Sequence, residues 1–142
     1  MAVLLDTDHL SVLQWQEQPA CDRLLTRLDE LRADDISTSI VSFHEQVQGW
    51  LAFLNRARKP EQIVAAYEKL EIIWRSFLRM NVASYTADSH LRFSQNKRSC
   101  PRVKTLDLRI AGIALATDST LLTRNLRDFR QVPGLRCEDW TR

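Results

Sequence analysis

Residues 2–5, Ala-Val-Leu-Leu, form an unbroken apolar run that stops at Asp6-Thr7-Asp8. A strand with one wet face alternates apolar and polar residues. One without alternation is covered on both faces, as in a parallel sheet flanked by helices. The run therefore predicts a buried first strand with carboxylates at its carboxyl end. It also constrains the rest of the chain to supply crossover helices and further short strands.

The remaining pattern supplies them. Leu10, Leu13, Leu24, Leu28 and Leu31 recur at helical spacing, interrupted at Pro19. Residues 35–40 are rich in β-branched side chains and read as a second strand. Ser42, with Glu45 three residues on, has the form of a capping box opening a helix through Val47, Leu51 and Leu54. Pro60 starts a long helix, with Ile63, Tyr67, Leu70, Trp74 and Phe77 assigned to one side. A short strand is expected near Val82, a helix over 85–94, a basic loop over 95–104 and a helix opened by Asp107. Residues 120–123 read as a strand. The whole is an α/β domain around a mostly parallel sheet, and 142 residues suffice for one core.

Composition narrows the chemistry. Twenty basic residues against 18 acidic ones leave a net charge of +2, too small by itself to define a nucleic-acid binder. The three cysteines, Cys21, Cys100 and Cys137, show no disulfide framework and no zinc spacing, which fits a reducing, cytoplasmic setting. No apolar run is long enough to span a bilayer, and no targeting segment is evident.

In open α/β sheets, ligands bind beyond the carboxyl ends of the strands. Asp6, Glu45, Asp107 and Asn125 all follow strands or sit near the sheet rim, so oxygen side chains from four distant segments can meet there. Gathered carboxylates repel one another unless a cation lies between them, and oxygen-only donors select magnesium or manganese. Each acid also has a plainer reading. Asp6 or Asp8 can cap a helix, Glu45 can close the capping box, and Asp107 can favour a helix dipole.

Four blocks carry a resemblance: "LLDTDHLS" (4–11), "STSIVSFHEQVQG" (37–49), "LDLRIAGIALA" (106–116) and "LLTRNLRDFRQVPGLRCEDW" (121–140). In this order they resemble the PIN-domain ribonucleases, in particular the VapC toxins of toxin–antitoxin pairs. The last block, with Asn125, Phe129, Pro133-Gly134-Leu135 and Trp140, is the most specific. The resemblance implies a single PIN-like domain over 1–142, a three-layer α/β/α sandwich around a mostly parallel central sheet. It implies a metal-dependent endoribonuclease toxin using Mg2+ or Mn2+, inhibited by a cognate VapB-like antitoxin and assembled as a homodimer without membrane attachment.

Carried over by position, Asp6, Glu45 and Asp107 become the metal ligands. Asn125 joins them as the fourth catalytic residue, where many relatives have an acid. Thr123 takes the family's hydroxyl position, and Thr123, Arg124 and Lys104 are expected to contact substrate. Asp8 stands where Asn is usual and is read as a cap of the following helix. Asp118 replaces a small residue, usually Gly. Asp128 is a possible substitute for the missing acid, although a solvated surface charge is the plainer reading.

Lys97, Arg98, Arg102 and Lys104 before Asp107, and Arg124, Arg127 and Arg130 around Asn125, give a polyanion its handle. Arg109 can face phosphate or antitoxin. His9, His44 and His90 receive no role. Two other readings stand beside this one. A PIN-like module could bind RNA or protein without catalysis. Alternatively, "LLDTD" matches the strand-Asp-x-Asp opening of haloacid-dehalogenase-like phosphatases, but no late lysine and acidic pair completes that pattern.

Overall fold

The computed structural model describes all residues, Met1–Arg142. Five short strands, β1 (Val3–Leu5), β2 (Ile36–Ser39), β3 (Asn81–Ala83), β4 (Thr120–Leu122) and β5 (Cys137–Glu138), form one sheet in the order β3-β2-β1-β4-β5. Every pairing is parallel, so the sheet expected to be mostly parallel is wholly so. Val3, Leu4 and Leu5 lie opposite Ile36, Ser37 and Thr38 on one side and Thr120, Leu121 and Leu122 on the other. The first strand is thus the centre of the sheet, and all three of its residues are buried.

Seven helices complete the chain: α1 (Thr7–Trp15), α2 (Ala20–Leu28), α3 (Ile40–Arg56), α4 (Pro60–Leu78), α5 (Ala87–Ser99), α6 (Thr105–Ala116) and α7 (Leu126–Phe129). Successive strand residues point to opposite faces, and two cores follow from that alternation. Val3 and Leu5 pack with Val12 of α1 and with Cys21, Leu24 and Leu28 of α2. Leu4 points the other way, into Val41 of α3, Ile110, Ile113 and Ala114 of α6, and Phe129 of α7. A sheet between two helical layers is the three-layer sandwich expected from the sequence. No helix is long and apolar enough to cross a membrane.

Several local expectations are corrected. Ser39, not Ser42, caps α3: its Oγ accepts from the Ser42 N–H at 3.0 Å. The strand ends one residue earlier than its β-branched run, and the cap moves with it. The expected capping box at Glu45 therefore does not form. The helix expected over 85–94 extends as α5 to Ser99, because a Thr86 hydroxyl cap and continuous hydrogen bonding carry it through Lys97 and Arg98. The basic loop shrinks to residues 100–104. Helix α6 begins at Thr105, which places Asp107 inside its first turn.

Helix α4 splits the apolar stripe read from the sequence. Ala66, Ile73 and Phe77 face inward, whereas Tyr67 and Trp74 are 56% and 57% exposed. Residues one position apart on a helix point about 100° apart, so the Ala66–Ile73–Phe77 line wins the interior and Tyr67 and Trp74 fall outside it. One glycine is sterically required. A Cβ on Gly112 of α6 would lie 2.5 Å from the Ser89 carbonyl oxygen, so α5 and α6 approach as closely as they do only because position 112 has no side chain.

Candidate active site

The strand order places a crevice before any side chain is considered. From β1 the chain moves outward through β2 and β3, then returns to the other side of β1 with β4 and β5. Connections leave β1 and β4 in opposite directions, and such a reversal opens a gap at the carboxyl ends of those two strands. Asp6 immediately follows β1, and Thr123 immediately follows β4.

Asp6 is the N-cap of α1, and its carboxylate accepts from the Thr7 N–H at 2.8 Å. Its other oxygen accepts from the Thr123 hydroxyl at 2.7 Å. The cap and the candidate ligand are therefore one residue, and the two readings of Asp6 do not exclude each other. Asp8, read as a cap, is not one. It points across the crevice, where Oδ2 accepts from the Arg124 N–H at 2.9 Å and Oδ1 meets His9 Nδ1 at 2.7 Å. The buried His9 is held on its far side as well, since Nε2 accepts from the Trp140 N–H at 3.1 Å. With Nε2 accepting, the proton sits on Nδ1 and is donated to Asp8. Sequence reasoning gave His9 no role, because the partner that fixes it lies 131 positions away.

Glu45 lies on α3 and accepts from the Thr7 hydroxyl, whose Oγ1 also lies 3.1 Å from Ser42 Oγ. Thr7 thereby joins the start of α1 to the start of α3. Asp107 enters from the first turn of α6 and is half-buried. Burial foremost, then the Asp8 charge and more weakly Asp107, push the Asp6 carboxyl up to about 7, against the pull of its Thr123 and Thr7 hydrogen bonds. Burial again, then the charge of Glu45, raises Asp107 to about 6. Asp128 and Asp8 add to this, and Lys104 opposes it. The acids thus share one electrostatic neighbourhood, although no three of them form a ready-made ligand cage.

Asp128 belongs to this group rather than to open solvent. It is half-buried, accepts from Asn125 Nδ2 at 3.1 Å and raises Asp107. Asn125 also uses its backbone N–H, which donates to Thr123 Oγ1 at 3.0 Å. The expected substrate contact at Thr123 is corrected. The residue is fully buried and its hydroxyl is committed to Asp6, so it positions a carboxylate. The Arg124 side chain turns to Thr141 Oγ1, at 3.1 Å from Nε, and its backbone N–H serves Asp8. Lys104 is exposed beside Asp107. The phosphatase alternative needs Asp8 as a mobile proton donor. Here the carboxylate is fixed by a histidine and a backbone N–H. A surface cleft of about 940 Å3 opens at the opposite rim near Met1 and Asp118 and contains none of these acids.

The fold is shared with solved structures that superpose over almost the entire chain. A chain of the DNA-bound VapBC complex from Salmonella typhimurium gives a TM-score of 0.77 at 23% identity, covering 99% of this chain and 98% of that one. VapBC-1 from nontypeable Haemophilus influenzae gives 0.75 at 23% identity over the full length of both chains. VapBC2 from Rickettsia felis gives 0.73 at 21%. Among curated proteins, the tRNA(fMet)-specific endonuclease VapC of Salmonella typhimurium is 30% identical over 84 residues, 56% of this chain. The match spans 64% of that protein's length. No family model matches.

Proposed function

We propose that the chain is a divalent-metal-dependent endoribonuclease of toxin type, held in check by an antitoxin protein. The observation that carries the reading is the pair Asp6 and Asp107. Two carboxyls are driven up to about 7 and about 6 at the crevice between β1 and β4, with Lys104 the one cation acting on Asp107. Buried like charges of this kind await a counter-ion. The donors are all oxygen, which fits Mg2+ or Mn2+. Mg2+ keeps several waters and uses one or two carboxylates, so a closed protein cage is not required.

Asp6, Asp107 and Glu45 would hold the ion, which when bound polarises a phosphoryl oxygen and makes a water more acidic. The chain's own residues prepare the site for it. Thr123 and the Thr7 N–H aim the two oxygens of Asp6. His9 and the Arg124 N–H fix Asp8 behind it, keeping a second negative charge near the crevice. The Thr7 hydroxyl holds Glu45, which orients the attacking water or completes the shell once released. Asn125, braced on Asp128, bonds a water or the substrate, and exposed Lys104 takes a phosphate. The VapC relative, named an endonuclease specific for tRNA(fMet), and the VapBC complexes support RNA as substrate and an antitoxin as partner.

The test is cleavage of a mixed cellular RNA by the purified chain with Mg2+ or Mn2+, beside Asp107→Asn. Loss of an electrostatic clamp on a transferring phosphoryl group lowers the rate by about a hundredfold or more. Equal cleavage by both proteins overturns the reading. So does a wild type whose melting temperature is unmoved by either ion.

A further inference from the structure

A second feature occupies the same rim, two strands away. A cleft of about 330 Å3 lies between Ile40, Val41 and His44 of α3, Tyr85 after β3, His90 of α5 and Arg109 of α6. Its walls are the two helices that carry the acids: His44 precedes Glu45, and Arg109 follows Asp107 by two residues. Neighbouring strands lie about 4.8 Å apart, which puts β3 roughly 10 Å along the rim from β1. This is the scale of one or two steps along an extended single strand.

The cleft differs in chemistry from the acid crevice. No carboxylate lines it, and Arg109 gives it a permanent positive charge. Its rings are already ordered. The Tyr85 hydroxyl lies 2.9 Å from His90 Nδ1, and the two rings meet edge to face with centroids 5.8 Å apart. His90 stacks on Phe93 at 5.5 Å with 25° between the planes, and the Arg109 guanidinium lies 5.5 Å over the same Phe93. Burial raises the Tyr85 phenol above its ordinary value, so it stays protonated. His90 and His44 are exposed, while Tyr85 and Arg109 are half-buried. Preordered aromatic faces beside a planar cation are what an unpaired nucleobase stacks on.

We propose that this cleft is a base subsite: it takes the nucleobase one or two positions from the phosphate at Asp6 and Asp107, stacks it on His90 and Tyr85, and reads its edge through Arg109. Guanine suits that reading best, because its N7 and O6 accept from a guanidinium in bidentate fashion. The subsite rests on the nuclease reading for its location, but its occupancy can be measured without cleavage.

The probe is a set of fluorescein-labelled octaribonucleotides of A, C, U and mixed G/U sequence. Their binding is followed by anisotropy in Mg2+ with Asp107→Asn, which leaves the RNA intact. Adding His90→Ala weakens binding of the preferred RNA about tenfold, as loss of one stacked base does. His90→Phe restores it, and His44→Ala on the facing helix lowers it without touching α5. Arg109→Lys narrows the preference for G-containing RNA. In wild type, sequencing of cleaved ends shows a base preference at one position beside the cut, and His90→Ala flattens it. Unchanged anisotropy in both His90→Ala and His44→Ala overturns the subsite, whether or not RNA is cut. If binding falls in those variants while wild type cuts no better than Asp107→Asn, the subsite stands and the hydrolytic reading fails.

Discussion

Replacing Asp6 by Asn should make the metal-free protein more stable while disabling it. The folded-state carboxyl titrates near 7 against 3.8 for an ordinary Asp, a rise of roughly three units. At 1.36 kcal/mol per unit, the rise amounts to about 4 kcal/mol of lost stability above pH 7. The sign follows from proton uptake. Below pH 3.8 both states are protonated and nothing is lost. Between about 4 and 7 the unfolded chain ionises while the folded one holds its proton, so stability falls as pH rises. Above 7 the loss is complete.

Asn removes the charge but must keep two contacts. Its amide oxygen can still accept from Thr7, whereas the Thr123 hydroxyl has to rotate and accept, at a cost of about 1 kcal/mol. The net gain is about 3 kcal/mol at pH 8, shrinking below about 1 kcal/mol at pH 5. In melting temperature this is roughly 10 °C at pH 8. Thermal denaturation of both proteins in EDTA at the two pH values measures it. The difference between them cancels the titrating groups that do not interact with Asp6. With Mg2+ at a hundred times its Kd, the wild type alone recovers about 2.7 kcal/mol. A variant less stable than wild type at pH 8 in EDTA, or an advantage independent of pH, would refute the reasoning.

Two further outcomes follow from packing. Gly112→Ala forces a methyl against the Ser89 carbonyl and should destabilise by about 1–3 kcal/mol through displacement of α5 from α6, read as a lowered midpoint in urea. His9→Phe keeps the buried volume but leaves Asp8 and the Trp140 N–H without their partner, costing about 2–4 kcal/mol and weakening Mg2+-dependent stabilisation together with it. A His9→Phe protein with wild-type stability and wild-type metal response would show that the bridge to residue 140 is idle.

The sheet was legible because its signals are local. The unalternating run at 2–5 and the β-branched run at 35–40 announce buried strands wherever they occur, and Pro19 and Pro60 punctuate the helices between them. Asp6, Glu45 and Asp107 were picked out by the resemblance, since spacing alone left each with a plainer reading at a helix start. What the sequence hid was how each is held. Thr7 reaches Glu45 across 38 positions, Thr123 reaches Asp6 across 117, and His9 reaches Trp140 across 131. No periodicity encodes such pairings. The same blindness misplaced Asp8, whose sequence position says cap and whose carboxylate faces β4. It also misplaced Asp128, whose isolation in sequence says solvent although it leans on Asn125 and Asp107. Tyr67 and Trp74 lie outside the core of the single chain for a different reason. An amphipathic helix with apolar residues on two sides offers two stripes, and only the packed fold chooses between them.

The tie from His9 to Trp140 has a consequence for synthesis. A ribosome emits residue 9 early and residue 140 more than a hundred codons later. Throughout that interval the imidazole lacks the amide that sets its tautomer, and Asp8 lacks its brace. The rim of a growing polypeptide is therefore unfinished until its far end folds back.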